Sequence, residues 1–365
     1  MSPSSQTAIP CFFMRGGTSR GPFFKAADLP ADTATRDRVL LAVMGSPDAR
    51  QIDGLGGAHP LTSKVGIVSP AAQDGIDLEF LFAQLQPGSD RVDTTPNCGN
   101  MLAAVVPFAL ESGLLAPQGD TSTFRVLTRN TGMAADITVH TPAGVVACEG
   151  DARIDGVPGT SAAITIRFLD TAGSVAPGLL PTGRTLDHID GLDVTCIDNG
   201  MPLVIVRAAD VGRRGDESVA ELDADTALKA RLERLRLACG HAMGLGDVAH
   251  RNYPKMTLVS APRAGGAITT RSFIPHVCHD AIGVLAAVTV GTACLLPGSV
   301  TAGIARIPAG NPRTLAVEHP SGEFSVELES DPADAGVITR AALLRTARLL
   351  MRGEVMVPRS VWAGH

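Results

Sequence analysis

The sequence predicts an α+β protein built from two similar halves. Three observations support this class. The chain has 365 residues, which is more than one compact core usually contains. Short runs of strand-forming residues recur between turn residues, while few segments show helical spacing. The run Leu-Ala-Ala-Val occurs at 102–105 and again at 285–288, half a chain apart, which indicates an internal repeat.

Five segments have the pattern of helices. Residues 32–45 begin at a capping Asp and end at a Gly, and residues 223–244 and 341–355 show apolar residues at helical intervals. Residues 100–113 and 283–298 contain the two copies of the repeat. The second copy is rich in small residues and too short to span a membrane, as expected of a buried helix.

The domain boundary is predicted in the stretch GLLPTGRTLDHIDGLD, residues 178–193. It is rich in Gly, Pro and Asp and is the best linker candidate in the chain. We therefore expect an N-terminal domain of residues 1–185 and a C-terminal domain of residues 186–365. The last predicted helix is expected to pack back on the first domain.

Composition restricts the class of partner. Hydrophobic residues make up 45% of the chain and charged residues 19%, as in a globular protein with a large core. The net charge is −6 and aromatic residues are 4%, so a nucleic-acid partner is not expected. No signal peptide or membrane span is predicted. The seven scattered cysteines form no Cys-x-x-Cys pair, which favours reduced thiols in a cytoplasm.

One thiol stands out, in the stretch TTPNCGNMLA. Cys98 is expected at the start of a helix, where free backbone N–H groups favour negative charge. Asn97 and Asn100 offer amide groups on either side, and Gly99 lets a ligand approach the backbone. Pro107 is expected to kink this helix or to end its first segment early. An ordinary buried core thiol is the alternative that the local sequence leaves open.

A lysine lies where the loop DGLGGAHPLTS meets the strand-like run VGIV. Lys64 at such a junction can point into a cleft, where loss of water makes an amine a usable base. A solvated lysine is the alternative. The glycines of this loop match neither a P-loop nor Gly-x-Gly-x-x-Gly, so a nucleotide site is not predicted.

Two further loops carry groups that suit a carboxylate ligand. The stretch MRGGTSRG, residues 14–21, combines two arginines with two hydroxyls, although a β-turn with solvated charges fits it equally well. The stretch IDNGMP, residues 197–202, is typical of a turn, and its Met201 is a candidate to line a cleft.

The stretch TTRSFIPHVCHDAIG completes the candidates. Arg271 and Ser272 are placed to hold an anion. His276, Cys278 and His279 have metal-ligating atoms, but no distant pair of ligands matches them, so no metal is expected. No hydrolase or metalloprotease signature occurs in the chain. The remaining groups are those of cofactor-free proton transfer beside a carbonyl or carboxylate.

These residues resemble a known family. MRGGTSRG, LLAVMGSPDARQIDGLGGAHPLTSKV, NCGNMLA, CIDNGMP, TRSFIPH and IGVLAAVTVGTACL look like the 4-oxalomesaconate tautomerases, which are related to the methylaconitate isomerases. The resemblance runs from about residue 9 to residue 355. It implies the diaminopimelate-epimerase-like fold, with two pseudo-symmetric domains, each a sheet wrapped around a central helix, and an active site in the cleft between them.

The resemblance also implies the chemistry. Epimerases of this fold use two cysteines, but the position related to Cys98 by the repeat is Ala281. In the isomerase branch a lysine takes the second role, and Lys64 matches it. We therefore expect Lys64 and Cys98 to move a proton within an unsaturated tricarboxylate, without a cofactor. The groups expected to hold the carboxylates and the enolate oxygen are Arg15, Thr18, Ser19, Ser63, Asn97, Gly99, Asn100, Met201, Arg271, Ser272 and His276.

Several points stay open on sequence alone. The substrate is expected to be 4-oxalomesaconate, in a keto–enol interconversion, with an allylic isomerisation of oxalomesaconate or the isomerisation of methylaconitate or aconitate as alternatives. A non-catalytic small-acid binding protein is a more distant alternative. The oligomeric state is open, and a homodimer or larger homo-oligomer is compatible with the sequence. Arg20 and Arg129 stand where relatives tend to carry Lys and Glu, which bears on specificity.

Overall fold

The computed structural model describes residues 5–169, 171–333 and 337–364. Its helices and strands, in chain order, are β1 (Gln6–Gly16), β2 (Ser19–Lys25), α1 (Thr33–Met44), β3 (Lys64–Pro70), β4 (Leu78–Leu85), β5 (Val92–Asp93), α2 (Gly99–Leu102), α3 (Val105–Glu111), β6 (Thr121–Thr128), β7 (Ala134–His140), β8 (Ile164–Phe168), β9 (Asp187–Ile189), β10 (Leu192–Asp198), β11 (Pro202–Arg207), α4 (Val219–Ala224), α5 (Thr226–Ala242), β12 (Lys255–Ser260), β13 (Ile268–Phe273), α6 (Val284–Leu295), β14 (Arg313–His319), β15 (Gly322–Ser330), β16 (Ile338–Arg345) and β17 (Ala347–Pro358).

The chain folds into two compact units. The first contains the described residues up to Leu169 and those from Arg345 onwards, and the second lies between them and ends at Leu344. The chain therefore passes from one unit to the other twice. The boundary predicted at residue 185 lies inside the second unit, and the C-terminal segment belongs to the first.

The stretch 178–193 is part of the second unit and not a linker. Its end forms the hairpin of β9 and β10, which turns at Asp190 and Gly191. Asp187 is buried and accepts hydrogen bonds from Thr182 and Arg184, 2.7 and 2.8 Å away. The Gly- and Pro-rich composition indicated turns correctly, but these turns are held by a buried carboxylate.

The two units have the same strand topology. The first sheet runs β17–β1–β2–β3–β4–β6–β7–β8, and the second runs β9–β10–β11–β12–β13–β14–β15–β16. In the first, β2–β3 and β4–β6 are the parallel pairs, and in the second the equivalent β11–β12 and β13–β14 are parallel. Helices occupy equivalent connections, with α1 matching α4–α5 and α2–α3 matching α6. This confirms the predicted α+β fold with two similar halves.

In the second unit the sheet surrounds α6. One hydrophobic cluster joins this helix to strands β10 through β16, with at least one buried residue from each. All residues of α6 from Ala286 to Leu295 are buried. Small side chains on every face of the helix allow strands to pack around its whole circumference. The buried helix predicted at residues 283–298 is therefore confirmed.

The equivalent helix of the first unit is divided in two. Pro107 has no N–H to donate to the carbonyl of Ala103, and the break between α2 and α3 falls at Ala103 and Ala104. The α3 segment packs through Phe108, whose ring centroid lies 5.3 Å from that of Phe12 on β1 and 5.6 Å from that of Phe23 on β2. The early end predicted for the first segment is confirmed.

Two other predicted helices are also confirmed. The Asp32 side chain accepts from the N–H of Thr35 at 2.8 Å and begins α1, which ends at Gly45 in the left-handed conformation. The helix predicted at residues 223–244 is α5. It begins at Thr226 because Asp225 caps it, and the separate short helix α4 precedes it.

The prediction of a helix at residues 341–355 is wrong. These residues form the end of β16 and most of β17, and β17 pairs antiparallel with β1 from Gln6↔Pro358 to Gly16↔Ala347. Ala, Leu and Arg are good helix formers, but intrinsic propensity is a weak preference that strand pairing overrides. The segment does return to the first unit, as an edge strand. None of the helices among the described residues is long and apolar enough to cross a membrane.

Candidate active site

A buried amine and a buried thiol are in contact in the first unit. Lys64 is the first residue of β3, Cys98 is the N-cap of α2, and each is 8% exposed. Lys64 Nζ lies 3.3 Å from Cys98 Sγ and 5.5 Å from the centroid of the Phe82 ring. Within the described part of the chain, this thiol is the one hydrogen-bond partner of the amine. The pair can therefore share one proton, either as amine and thiol or as ammonium and thiolate.

The backbone around Lys64 leaves no room for a side chain on the neighbouring strand. Gly21 of β2 faces the end of β3, and a Cβ atom on Gly21 would lie 1.8 Å from the carbonyl oxygen of Lys64. Backbone atoms cannot turn aside as a side chain does. The glycine is thus required for β2 to approach β3 at the position that carries the amine.

Replacing Gly21 with alanine is expected to lower the free energy of unfolding by about 1–3 kcal/mol, because β2 and β3 must separate to admit the methyl group. The loss is measured by urea denaturation. Gly353→Ala is the matched control, since Gly353 also lies in a strand of the first sheet but has no atom within 4 Å of the added Cβ. Equal unfolding free energies for the two variants would contradict this account.

The hairpin turn between β1 and β2 is fastened to α2 by Asn100. Asn100 Nδ2 donates to Thr18 Oγ1 at 2.9 Å, and Arg345 Nε donates to Asn100 Oδ1 at 3.2 Å. Gly17 adopts φ 53°, and a Cβ on it would lie 2.1 Å from Asn100 Oδ1. Asn100 therefore acts in the first place as a structural link that sets the position of Thr18 beside α2.

Arg15 braces the same turn. Its guanidinium donates to the carbonyl of Gly17 at 3.0 Å and to the carbonyl and hydroxyl of Thr346 at 3.1 and 3.0 Å. Burial, and then the charge of Arg348, lowers the pKa of Arg15. The guanidinium is occupied with main-chain acceptors, so a positioning role fits it better than the direct carboxylate contact predicted.

The other predicted polar groups of the first unit differ in whether their polar atoms are free to bind a ligand. Ser63 is fully buried, and its hydroxyl lies 2.7 Å from Gln51 Oε1 and 2.9 Å from the carbonyl of His59, so it stabilises the loop before Lys64. Asn97 Nδ2 donates to the hydroxyls of Thr128 and Thr131 at 3.2 and 3.1 Å. Among the described residues, the buried Ser19 Oγ and Asn97 Oδ1 have no hydrogen-bond partner.

In the second unit, adjacent residues of β13 lie on opposite faces of the sheet. Ser272 is on the α6 side and its hydroxyl lies 3.0 Å from that of Thr257. Arg271 is on the other side and donates to the carbonyls of Glu217 and Thr270 at 2.7 and 2.8 Å. Burial lowers the pKa of Arg271. Because main-chain carbonyls hold its guanidinium away from α6, Arg271 does not fit the anion-binding role predicted for it.

The remaining predicted residues also take different places. His276 is 54% exposed, and its Nδ1 lies 3.6 Å from a carboxylate oxygen of Glu233 on α5. The ring therefore faces a carboxylate of the protein itself and not a site for a bound ligand. Met201 is half-buried against the α6 cluster, and its carbonyl lies 3.2 Å from the hydroxyl of Thr289. No cluster of three His, Cys, Asp or Glu side chains suited to a metal occurs in the residues described.

Arg20 and Arg129 lie at the surface of the first unit. The Arg20 guanidinium carbon is 5.8 Å from the ring centroid of Phe13 on β1. Arg129 is 59% exposed and 3.6 Å from the carboxylate of Glu79.

Three residues that contribute to the site were not predicted from the sequence. Phe82 lies under Lys64, and Arg345 and Thr346 hold Asn100 and Arg15. The alternation of LEFLFAQL was the available signal for Phe82, whereas Arg345 and Thr346 fell in the segment predicted to be helical.

A family model described as PrpF protein matches residues 6–358. The chain belongs to the PrpF family. This confirms the predicted family, fold and enzyme class, isomerase.

Similar PrpF relatives carry specific names. The 4-oxalomesaconate tautomerase of Pseudomonas putida is 55% identical over 359 residues, covering 98% of this chain and 99% of that protein. The (4E)-oxalomesaconate Delta-isomerase of a Novosphingobium species is 57% identical over 350 residues, covering 96% and 98%. The crystal structure of a methylitaconate-delta-isomerase superposes with a TM-score of 0.86 at 34% identity, covering 99% of this chain and 98% of that one.

Proposed function

We propose that this PrpF protein is a 4-oxalomesaconate tautomerase that interconverts keto and enol forms by proton transfer through Lys64 and Cys98. One observation carries the mechanism, namely the 3.3 Å contact between two buried groups that can each hold the transferred proton. The 55% identity to a tautomerase over nearly the whole chain supports the choice of substrate.

We assign removal of the substrate proton to Lys64. Its neutral amine takes a proton from a carbon that the conjugated 2-oxo group makes acidic, and the electron pair moves into a dienolate. Cys98 then delivers its proton to the enolate oxygen of the dienolate, which gives the enol. Because each step is reversible, the two groups exchange roles when the reaction runs backwards.

The contact between Lys64 and Cys98 also returns both groups to their starting protonation states. After one turnover Lys64 holds one proton more and Cys98 one proton fewer than at the start. A single transfer along the Nζ–Sγ hydrogen bond returns both to their starting states, without a proton from solvent. The pair thus acts as a closed acid–base couple, and this favours an isomerisation, in which no proton is gained or lost overall.

Negative charge that develops on the substrate needs fixed hydrogen-bond donors. In the first unit Ser19 and Thr18 at the hairpin turn, Asn97 beside Cys98, Asn100, and the backbone at Gly99 are proposed for this role. The Ser19 hydroxyl supports it, since it is buried without a partner among the described residues and has a proton to donate. In the second unit Ser272 and Met201 remain proposed ligands.

The experiment that tests this function is proton NMR of purified protein with authentic oxalomesaconate in D₂O. We expect interconversion of keto and enol forms at a rate far above the uncatalysed one. Deuterium should enter the carbon that loses and regains its proton, because the amine and the thiol exchange their protons with D₂O between turnovers. Absence of both conversion and exchange, in protein with native circular dichroism, would contradict the proposal and favour a binding or accessory protein.

A second candidate function is the allylic Delta-isomerisation of oxalomesaconate. The 57% identity to such an isomerase favours it, and the same pair of groups performs it by returning the proton two carbons away. The two reactions give different double-bond positions, so the same NMR spectrum separates them. Methylaconitate and aconitate, offered separately, test the wider isomerase alternatives.

The cellular setting is part of the proposal. We place the enzyme in the cytoplasm, in bacterial breakdown of gallate- or lignin-type aromatic compounds, acting as a homo-oligomer without a cofactor. All seven cysteines are free thiols, which fits a reducing compartment. Fractionation, together with sedimentation of the purified protein, tests location and oligomeric state.

A further inference from the structure

The second unit contains a lysine at the position equivalent to Lys64. Lys255 is the first residue of β12, as Lys64 is the first residue of β3. Each of these strands runs parallel to the second strand of a hairpin, β11 or β2, and antiparallel to the strand that follows. The topological repeat therefore places one amine in each unit.

The two amines face different residues at the start of the equivalent helices. Lys64 faces Cys98, the N-cap of α2. Lys255 faces Gly283, the N-cap of α6, and a Cβ on that glycine would lie 3.7 Å from Lys255 Nζ. The helix starts thus align Cys98 with Gly283, whereas the Leu-Ala-Ala-Val repeat aligned it with Ala281. Neither Gly283 nor Ala281 has a side-chain proton to transfer. Lys255 therefore has no acid–base partner there and offers only charge and hydrogen bonds.

Lys255 is half-buried and has no acceptor of its own. No hydrogen bond or ion pair of its ammonium group is found within the described residues. Burial lowers the pKa of Lys255. Partial removal of an ammonium from water without a partner is unfavourable, and an anionic ligand offsets that cost. Gly283 leaves space at this point and supplies no side-chain cap to α6.

His279 provides a second donor in the segment that leads into α6, four residues before Gly283. Its Nδ1 accepts from the N–H of Ala281 at 2.8 Å, so in the neutral ring the proton is on Nε2. Burial, and then the charge of Lys255, lowers the pKa of His279, while the exposed Asp280 acts in the opposite direction. Near neutral pH the ring is therefore an uncharged N–H donor.

We propose that Lys255 and His279 form a carboxylate-binding site in the second unit, open at Gly283, which takes one carboxylate of the tricarboxylate ligand. Lys255 binds and does not transfer protons, in contrast to Lys64. This inference rests on the proposed function for the nature of the ligand. It assigns to the second unit a positive charge that Arg271, turned to the opposite face of β13, does not provide.

The test uses tricarballylate, a saturated tricarboxylate that cannot isomerise, so that binding is measured apart from turnover. Lys255→Met is expected to weaken its binding in isothermal titration calorimetry by about 10- to 100-fold, the value of one charge-assisted hydrogen bond. Lys229→Met, on α5, is the matched control and should bind as the wild type does. In the steady state Lys255→Met should raise KM much more than it lowers kcat.

A second variant separates loss of the site from loss of the fold. Gly283→Asp places a carboxylate at the N-cap of α6, where it should stabilise the helix and occupy Lys255. We expect an unchanged or higher Tm together with lost tricarballylate binding. In addition, tricarballylate should raise the pKa of His279 in the wild type, followed by imidazole NMR, and leave it unchanged in Lys255→Met.

The outcomes are distinguishable from failure of the proposed function. If wild-type protein does not act on oxalomesaconate but binds tricarballylate through Lys255, the site stands and the substrate is wrong. Tricarballylate affinity of folded Lys255→Met within twofold of the wild type would overturn the site, as would absence of binding to the wild type, whatever the activity.

Discussion

Replacement of Lys64 by methionine is expected to lower kcat for oxalomesaconate by about 10²- to 10⁴-fold, the usual contribution of one acid–base group. Methionine has a similar length and fills the space beside Phe82 but cannot accept a proton. It also removes a buried amine whose one partner among the described residues is Cys98. Turnover is measured by NMR or by absorbance of the conjugated enol, with circular dichroism to verify the fold.

The matched control for this variant is Lys229→Met, on the partly exposed surface of α5. It removes the same charge from the chain but is remote from the lysine–thiol pair in sequence and lies in the other unit. We expect activity within twofold of the wild type. Folded Lys64→Met protein that turns over at more than a tenth of the wild-type rate would show that Lys64 is not the base.

The second large effect is expected for Cys98→Ser. A serine hydroxyl is a much weaker acid than a thiol, so protonation of the dienolate should slow and turnover should fall by about 10²- to 10⁴-fold. Lys64 remains in place, however. Reversible removal of the substrate proton should therefore continue, and deuterium from D₂O should enter the starting carbon faster than product forms.

This ratio of exchange to turnover identifies the group that begins the reaction. If Lys64→Met retains exchange and Cys98→Ser loses it, Cys98 is the base in that direction and the assignment of roles is reversed. Cys148→Ser, at the one exposed cysteine, is the control and should leave both rates unchanged. Near-native turnover in both Cys98→Ser and Lys64→Met would refute the pair altogether.

Local signals explain the parts of the fold that the sequence predicted well. Asp32 and Gly45 define the ends of α1 by hydrogen bonding and by backbone conformation, and both effects act within a few residues. Pro107 likewise breaks the helix after Cys98 through its own missing N–H. The repeat of Leu-Ala-Ala-Val indicated two equivalent halves because its two copies lie in helices that occupy equivalent connections.

Non-local effects explain the rest. Residues 347–355 form a strand because β1, more than 300 residues earlier, pairs with them, and residues 341–343 pair with β15; no local pattern contains that information. The choice between Arg271 and Ser272 depends on which face of β13 meets α6, and a shift of one residue exchanges them. Lys64 and Cys98 were expected together through a family resemblance, whereas their 3.3 Å contact joins residues 34 positions apart and depends on how β3 and α2 pack.

Lys255 could not be recognised as a site residue from the sequence. A lysine at the start of an apolar run is common and usually solvated, so PKMTLVS gives no reason to single it out. Its equivalence to Lys64 becomes visible only when strands β3 and β12 are matched by their pairing. The second unit has an amine at the equivalent strand position and a glycine where the first unit has the thiol, so we expect the two lysines to serve different chemical purposes.

The pairing of β1 with β17 also determines the order in which the protein can be completed during synthesis. Residues of the second unit form one continuous stretch ending at Leu344, whereas the first unit is built from two segments that the whole second unit separates. Strand β1 cannot complete its pairing until the segment that follows the second unit has been synthesised. Until then the nascent chain carries an open sheet edge, and Asn100 and Arg15 lack Arg345 and Thr346. The framework around the lysine–thiol pair is therefore finished only when β17 has paired with β1.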